Sequence, residues 1–200
     1  MSTIRLEKND SINLTKGNGT KYTKIRIGLG WSPADRFPAY DLDASVFICK
    51  HVKTPSGYDP KLISDSHFIF YNNKVSPDGA VVHLGDNLVG GAGDKDDADD
   101  ETITIDLEKV VNSATEISVI VTIHEAVHRK QHFGDVKNSY MRIYDDTNGD
   151  VIADYRLQQF TTETAIQIGS FVKDGDNWMF KAVGAGYNLS LGDLVEGYQI

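Results

Sequence analysis

Apolar and polar residues alternate with a period of two along much of this chain. Two segments are the clearest, KIRIGLGW with Ile25, Ile27, Leu29 and Trp31 on one side, and DLDASVFICK with Leu42, Ala44, Val46 and Ile48. HFIFY and ETITIDL alternate in the same way. Because side chains of a strand point to opposite faces in turn, this pattern predicts half-buried strands of antiparallel sheets.

Turn signals separate these segments, and long helical patterns are scarce. SYMRIYD and VIADYRL flank DTNGD, where Asn148 and Gly149 suit the positive φ of a hairpin turn. LEKVVNSA and RKQHFGDVKN have room for a helical turn or two. No internal repeat or boundary is visible, so we predict one all-β domain over residues 1–200. It is expected to be a β-sandwich of two antiparallel sheets with short helical turns.

Charge and composition limit the partners of the chain. A net charge of −9 and a pI of about 5.0 argue against a nucleic-acid surface. The single cysteine excludes an internal disulfide and indicates a reducing compartment. No apolar run approaches the 18 residues of a membrane span, and the N-terminus lacks the apolar region of a signal peptide. We therefore expect a cytoplasmic protein without a direct membrane span, with peripheral attachment through a partner left open.

The segment from Gly85 to Leu107 is unusually acidic and rich in glycine. Between Asp86 and Glu101 it carries seven carboxylates and one lysine, interleaved with glycines. Hard oxygen donors on a tightly turning backbone suit Ca²⁺ better than Mg²⁺. Neither an EF-hand register from Asp94 nor a repeated calcium β-roll motif matches. From the residues alone, a Ca²⁺ site and a solvated acidic loop both stay open.

A second acidic feature lies at the start of a predicted strand. Asp41 and Asp43 are two residues apart, so in a strand both carboxylates project to the same side. Such a pair repels unless solvent, a basic group or a cation neutralises it. Proximity to the acidic loop would favour the cation.

The motifs taken together resemble a known family. They are, in order, IGLGW, DLDAS, FIFYNN, SPDGAVVHLGDN, DDETITIDL, VTIH, FGDVKNSYMRI, ETAIQIGSF and WMFKAVGAGY. This series is similar to the TerD-domain family of bacterial tellurium-resistance and general stress proteins, from about Ile4 to Tyr187. The resemblance implies a non-enzymatic β-sandwich that binds Ca²⁺ through acidic loops. It also implies action with other Ter-type stress proteins, in complexes at the inner face of the membrane.

The resemblance also implies a set of metal ligands. The positions that match the family's motifs are Asp41, Asp43, Asn72, Asp86, Asn87, Asp99, Asp100 and Glu101. One departure is clear: the link between GDN and DDE is lengthened to LVGGAGDKDDA, and Ala98 replaces the last glycine. The additional carboxylates there include Asp94 and Asp96, which we add to the candidate ligands. They can replace ligands, form a further site or lie in solvent.

The stretch VTIHEAVHRKQHFG contains the HExxH pattern of zinc peptidases. In such a site His124 and His128 bind zinc from one helix face while Glu125 activates a water. The preceding EISVIVTI is rich in β-branched residues, which favour a strand running into a loop. No third ligand is signalled downstream. A zinc hydrolase is therefore the alternative function, and partly exposed loop histidines are the expected structure.

Overall fold

The computed structural model describes residues 3–33, 37–55, 57–85, 87–91 and 99–200. The strands within these residues are β1 (Ile4–Leu6), β2 (Ser11–Asn13), β3 (Lys24–Gly30), β4 (Leu42–Thr54), β5 (Gly57–Leu62), β6 (Phe68–Ile69), β7 (Val81–His83), β8 (Glu101–Asp106), β9 (Glu116–Ile123), β10 (Tyr140–Asp145), β11 (Val151–Arg156), β12 (Ala165–Asp174) and β13 (Asn177–Tyr187). The helices are α1 (Ala126–Arg129) and α2 (Leu191–Tyr198), with 3-10 turns at Asp65–His67 and Phe133–Asp135. No helix in the described ranges is both long and apolar enough to cross a bilayer.

The strands form two sheets. The first has the order β1-β11-β10-β3-β8-β7, and the second has the order β2-β13-β12-β9-β4-β5, with β6 also paired to β4. Neighbouring strands are antiparallel except β1 and β11, which pair in parallel. The predicted all-β, two-sheet architecture is confirmed, with this one parallel pair as a difference in detail.

The inward faces of the two sheets form the main core. The alternation predicts which apolar residues of β3 and β4 face inward. These residues are buried in this core, and Ile25 and Ile48 are fully buried. Fully burying one such side chain contributes about 1.5–3 kcal/mol. The alternation read from the sequence therefore identifies this core correctly.

The other face of β4 is also buried, which the alternation does not predict. Phe47 and Cys49 pack into a second, smaller core with Leu194, and Tyr198 stacks on Phe47 at 4.4 Å between ring centroids. Helix α2 supplies this cover, and its start is fixed by a capping box between Ser190 and Asp193. The strand pattern of the sequence predicts no helix here, although Ser-x-x-Asp before an apolar pattern is a usable signal for one.

The predicted hairpin joins β10 and β11. Gly149 adopts φ +80°, and its amide donates to the carbonyl of Asp145. The predicted HFIFY strand is shorter than expected, because only Phe68 and Ile69 pair with β4. Because it is so short, no strand among the described residues pairs with this edge of β4 before Val46, and the candidate site forms there.

Candidate functional site

The carboxylates of Asp41 and Asp43 are buried and face the turn that follows β9. Their residues are 5% and 4% exposed. Asp41 Oδ2 lies 3.7 Å from an Arg129 guanidinium nitrogen, and Asp43 Oδ2 lies 3.5 Å from His124 Nδ1. The two side chains therefore project to one side, as their spacing predicts.

Glu101 approaches the same strand from the first sheet. It is 2% exposed, and its Oε2 accepts a hydrogen bond from the Ala44 amide at 2.6 Å. The same oxygen lies 3.8 Å from His83 Nε2. Because β6 pairs only with Val46 and Phe47, the Ala44 amide lies beyond that ladder, and the carboxylate satisfies it. Glu101 thus links the start of β8 to the strand that carries Asp43.

Asp100 ties the glycine-rich segment to the end of β3. Its Oδ2 accepts from the Trp31 amide at 2.8 Å, and its Oδ1 accepts from Asn87 Nδ2 at 2.9 Å. Gly90, at φ +73°, lies so close to Trp31 that an added Cβ would fall 2.3 Å from the indole nitrogen. Glycine is required here both by its backbone conformation and by the close approach.

Asp99 points away from Glu101, onto the outer face of the first sheet. Its carboxylate lies above Gly28, accepting from Arg26 at 3.0 Å and from the Tyr144 hydroxyl at 2.9 Å. A weaker bond comes from Tyr140 at 3.3 Å. Burial raises the pKa of Asp99 above its usual value, although these donors act to lower it.

The other predicted ligands are less informative. Asn72 is exposed in the turn after β6. Asp86, Asp94 and Asp96 lie outside the described residues. Within the part of the chain that is described, no three His, Cys, Asp or Glu side chains come close enough together to hold one metal ion. The fold thus places Asp41, Asp43 and Glu101 at or beside the start of β4 without bringing the three together, and it separates Asp99 from them.

The basic neighbours of these carboxylates were missed from the sequence. His83 is 3% exposed and shares the inward face of β7 with Val81, so the alternation of VVH contains the signal. Arg129 comes near Asp41 only because the chain turns back after β9, and no local pattern marks that contact.

The HEAVH stretch does not form a zinc-peptidase helix. Strand β9 ends at Ile123, and the His124 amide still donates to the Asp41 carbonyl at 2.8 Å. Glu125 adopts φ +51°, and α1 spans only four residues from Ala126. His124 therefore precedes the helix and does not share a helical face with His128. The predicted end of the strand is confirmed, but a short helical turn follows it where a loop was expected, and His128 lies in that turn.

Comparisons with known proteins agree over nearly the whole chain. The TerD domain family matches residues 1–198. The chain is 36% identical to the tellurium resistance protein TerD of Serratia marcescens, over 95% of this chain and 98% of that protein. It is also 36% identical to general stress protein 16U of Bacillus subtilis, over 98% and 97% respectively.

The fold has solved counterparts. The crystal structure of a homologue of telluride resistance protein from Streptomyces coelicolor A3(2) superposes with a TM-score of 0.68 at 20% identity, covering 86% of this chain and 95% of that one. At that identity the likeness concerns the fold. The family match and the relatives at 36% identity show that this chain belongs to the TerD-domain family.

Proposed function

We propose that this chain is a calcium-binding stress-response module that acts by binding and not by catalysis. Its relatives include proteins named for tellurium resistance, for general stress and for resistance to chemical damage. The observation that carries the calcium proposal is the burial of several carboxylates at and beside the start of β4. Asp43 lies on that strand, and Glu101 reaches the neighbouring Ala44 amide from the other sheet.

The chemistry of these donors suits Ca²⁺. Taking a carboxylate out of water is costly unless a cation or several hydrogen bonds compensate. Carboxylate and amide oxygens are hard ligands, and Ca²⁺ takes six to eight of them in flexible geometry. Asp41, Asp43 and Glu101 would each contribute to binding, although not all three to the same ion, and Asp86 and the carboxylates of residues 92–98 would supply the other ligands. Asp100 and Asn87 would hold the glycine-rich segment in place.

Asp99 has a different role in this proposal. Its carboxylate already accepts hydrogen bonds from the Arg26 guanidinium and the Tyr144 hydroxyl on the outer face of the first sheet. We therefore assign it to the stability of that sheet and not to the metal. Exposed Asn72 is likewise left out of the ligand set.

Binding of Ca²⁺ would act by ordering the acidic segment. Without metal, the carboxylates of the acidic segment repel one another, and a bound Ca²⁺ neutralises them and fixes the segment as a surface for a partner. An ion that binds only the folded state adds RT ln(1 + [Ca²⁺]/Kd) to the free energy of unfolding, which is about 2.7 kcal/mol at 100 times Kd.

A thermal melt tests the calcium site. In chelator-treated protein, 2 mM Ca²⁺ should raise Tm by several degrees, and the variant Asp43→Asn should lose most of that shift. Asp174→Asn, at an exposed position at the end of β12, is the matched control and should keep the full shift. An unchanged Tm of the natural chain with Ca²⁺ would refute the proposal.

The partner we propose is another Ter-type stress protein, in a complex at the inner face of the membrane. Serratia marcescens has at least three related proteins named for tellurium resistance, TerD, TerZ and TerX, so chains of this fold occur together in one organism. A pull-down of such proteins by the tagged chain should require Ca²⁺. Equal recovery with a chelator present would show that partner binding does not depend on Ca²⁺.

A further inference from the structure

A groove with a volume of about 560 Å³ opens on the outer face of the second sheet. We call it the His124 groove, and it is lined by Asp43, Tyr71, Thr122, His124, Val127 and Leu191 among others. Its volume lies within the range of about 300–1,000 Å³ that is usual for small-molecule sites. The start of β4, the end of β9, the turn after β6, the turn into α1 and the start of α2 all contribute to it.

The floor of the groove is polar. Asp43 and Thr122 are cross-strand partners on β4 and β9, so their side chains lie side by side on this face. Both residues are at least 96% buried. His124 Nδ1, 3.5 Å from Asp43 Oδ2, holds one edge of the carboxylate.

Thr122 carries the observation that points to a ligand. Its Oγ1 is buried and makes no hydrogen bond to any described residue. A buried hydroxyl without a partner costs about 1–3 kcal/mol, so such groups are normally satisfied by protein, water or ligand. At the floor of a groove of this size, next to a carboxylate, the hydroxyl is positioned to accept from a donor that enters the groove.

The walls are largely apolar. Ile123 and Val127 contribute from the turn, and Leu189 and Leu191 from the approach to α2. Val127 is 79% exposed at the rim. The Tyr71 ring lies edge-on to His124, with 6.2 Å between ring centroids, and adds an aromatic surface on which a cation is favoured.

The charges favour a cation over an anion. Asp43 lies at the floor, and Glu125, also lining the groove, carries a second carboxylate, which is paired with the Arg129 guanidinium at 3.3 Å. The start of α2 would ordinarily attract an anion, but the Asp193 carboxylate already accepts from the amide and hydroxyl of Ser190 there. The helix end is thus compensated by the chain's own carboxylate.

From these features we propose that the His124 groove binds a small organic ammonium ion, a primary amine carrying a short apolar body. The ammonium group donates to Asp43 and Thr122, and the apolar body lies between Val127 and Leu191. The groove shares Asp43 with the proposed calcium site, so it is tested in the presence of a chelator.

Three six-carbon probes separate charge from apolar burial. Hexylammonium, 1-hexanol and hexanoate are titrated into the full ¹⁵N-labelled chain in excess EGTA. Hexylammonium should produce saturable amide shifts at Thr122, His124 and Gly192. Hexanol should bind at least tenfold more weakly, and hexanoate should produce no shifts. Equal binding of hexanol and hexylammonium would overturn the proposal, because the groove would then be selecting apolar bulk alone.

Variants locate the site and test the hydroxyl. Thr122→Val keeps the shape of the side chain and should weaken hexylammonium binding about tenfold, because a hydrogen bond to a charged group is lost. Val127→Trp, which sets an indole at the rim, should abolish binding. Val75→Trp is its matched control on the edge of the first sheet and should bind normally. Unchanged binding by Thr122→Val, or equal loss in both tryptophan variants, would contradict the assignment.

Discussion

Asp99 and Glu101 are two residues apart, yet the structure gives their carboxylates opposite surroundings. Asp99 lies on the outer face of the first sheet, where Arg26 and Tyr144 contact both of its oxygens. Glu101 lies between the sheets, where it accepts from a backbone amide and approaches His83. In the first region the chain supplies a permanently charged partner for its buried acid. In the second, the proposed function would make an external cation the partner.

A bend causes this difference. In a regular strand, residues 99 and 101 would share a face. Here β8 begins only at Glu101, and the Asp100 side chain binds the Trp31 amide while its own amide donates to the Leu29 carbonyl. Carboxylates that look equivalent in the sequence are therefore placed in different surroundings by a single bend.

Removing the guanidinium that pairs with Asp99 should have the largest effect on stability. Arg26→Met leaves Asp99 buried without its guanidinium and also removes the cation–π contact with Tyr144, 3.7 Å from the ring centroid. We expect a loss of about 2 kcal/mol in the free energy of unfolding, below the 3–5 kcal/mol of a fully buried pair because Arg26 is a quarter exposed. Urea unfolding should give the same loss with Ca²⁺ and with chelator. A loss that disappears on adding Ca²⁺ would link the two regions.

Removing the Tyr144 hydroxyl should have a smaller effect on stability. Tyr144→Phe removes the 2.9 Å hydrogen bond to Asp99 but keeps the ring beneath Arg26. Loss of one hydrogen bond to a charged group, with the guanidinium still present, should cost about 1 kcal/mol. The same urea assay measures it. A cost equal to that of Arg26→Met would mean that the ring and not the ion pair stabilises this face.

The smallest effect on stability is expected at Asp145, another buried acid that is paired with a lysine of the chain, and it should appear as a change in pH dependence. Burial alone would raise the pKa of Asp145, but hydrogen bonds from Lys16 and Thr147 hold it below its usual value. Its stabilising contribution is therefore present above the unfolded pKa of about 4 and is lost as the pH falls through the lower folded pKa. Between pH 6 and pH 2.5, Asp145→Asn should lose less stability than the natural chain. Parallel losses would show that this pair does not contribute.

The sequence predicts the fold well because burial follows alternation. The inward faces of β3 and β4, and the end of β9 at Ile123, are where the period of two places them. The second core under α2 is missed because both faces of β4 are apolar near Phe47, which alternation cannot distinguish from chance.

The site is predicted less completely. The shared side of Asp41 and Asp43 follows from their spacing, and the family resemblance adds Glu101. The separation of Asp99 depends on a bend, and the contact of Arg129 with Asp41 depends on a distant turn. Neither feature is marked by a periodic pattern in the sequence.

The most direct test of the account is a calorimetric Ca²⁺ titration of two neighbouring variants. Glu101→Gln keeps an acceptor for the Ala44 amide but removes the charge, and it should weaken Ca²⁺ binding at least tenfold. Asp99→Asn makes the equivalent change two residues away, and its Kd should stay within twofold of that of the natural chain. Equal weakening in both variants, or no Ca²⁺ binding by the natural chain, would contradict the assignment of the two carboxylates to different tasks.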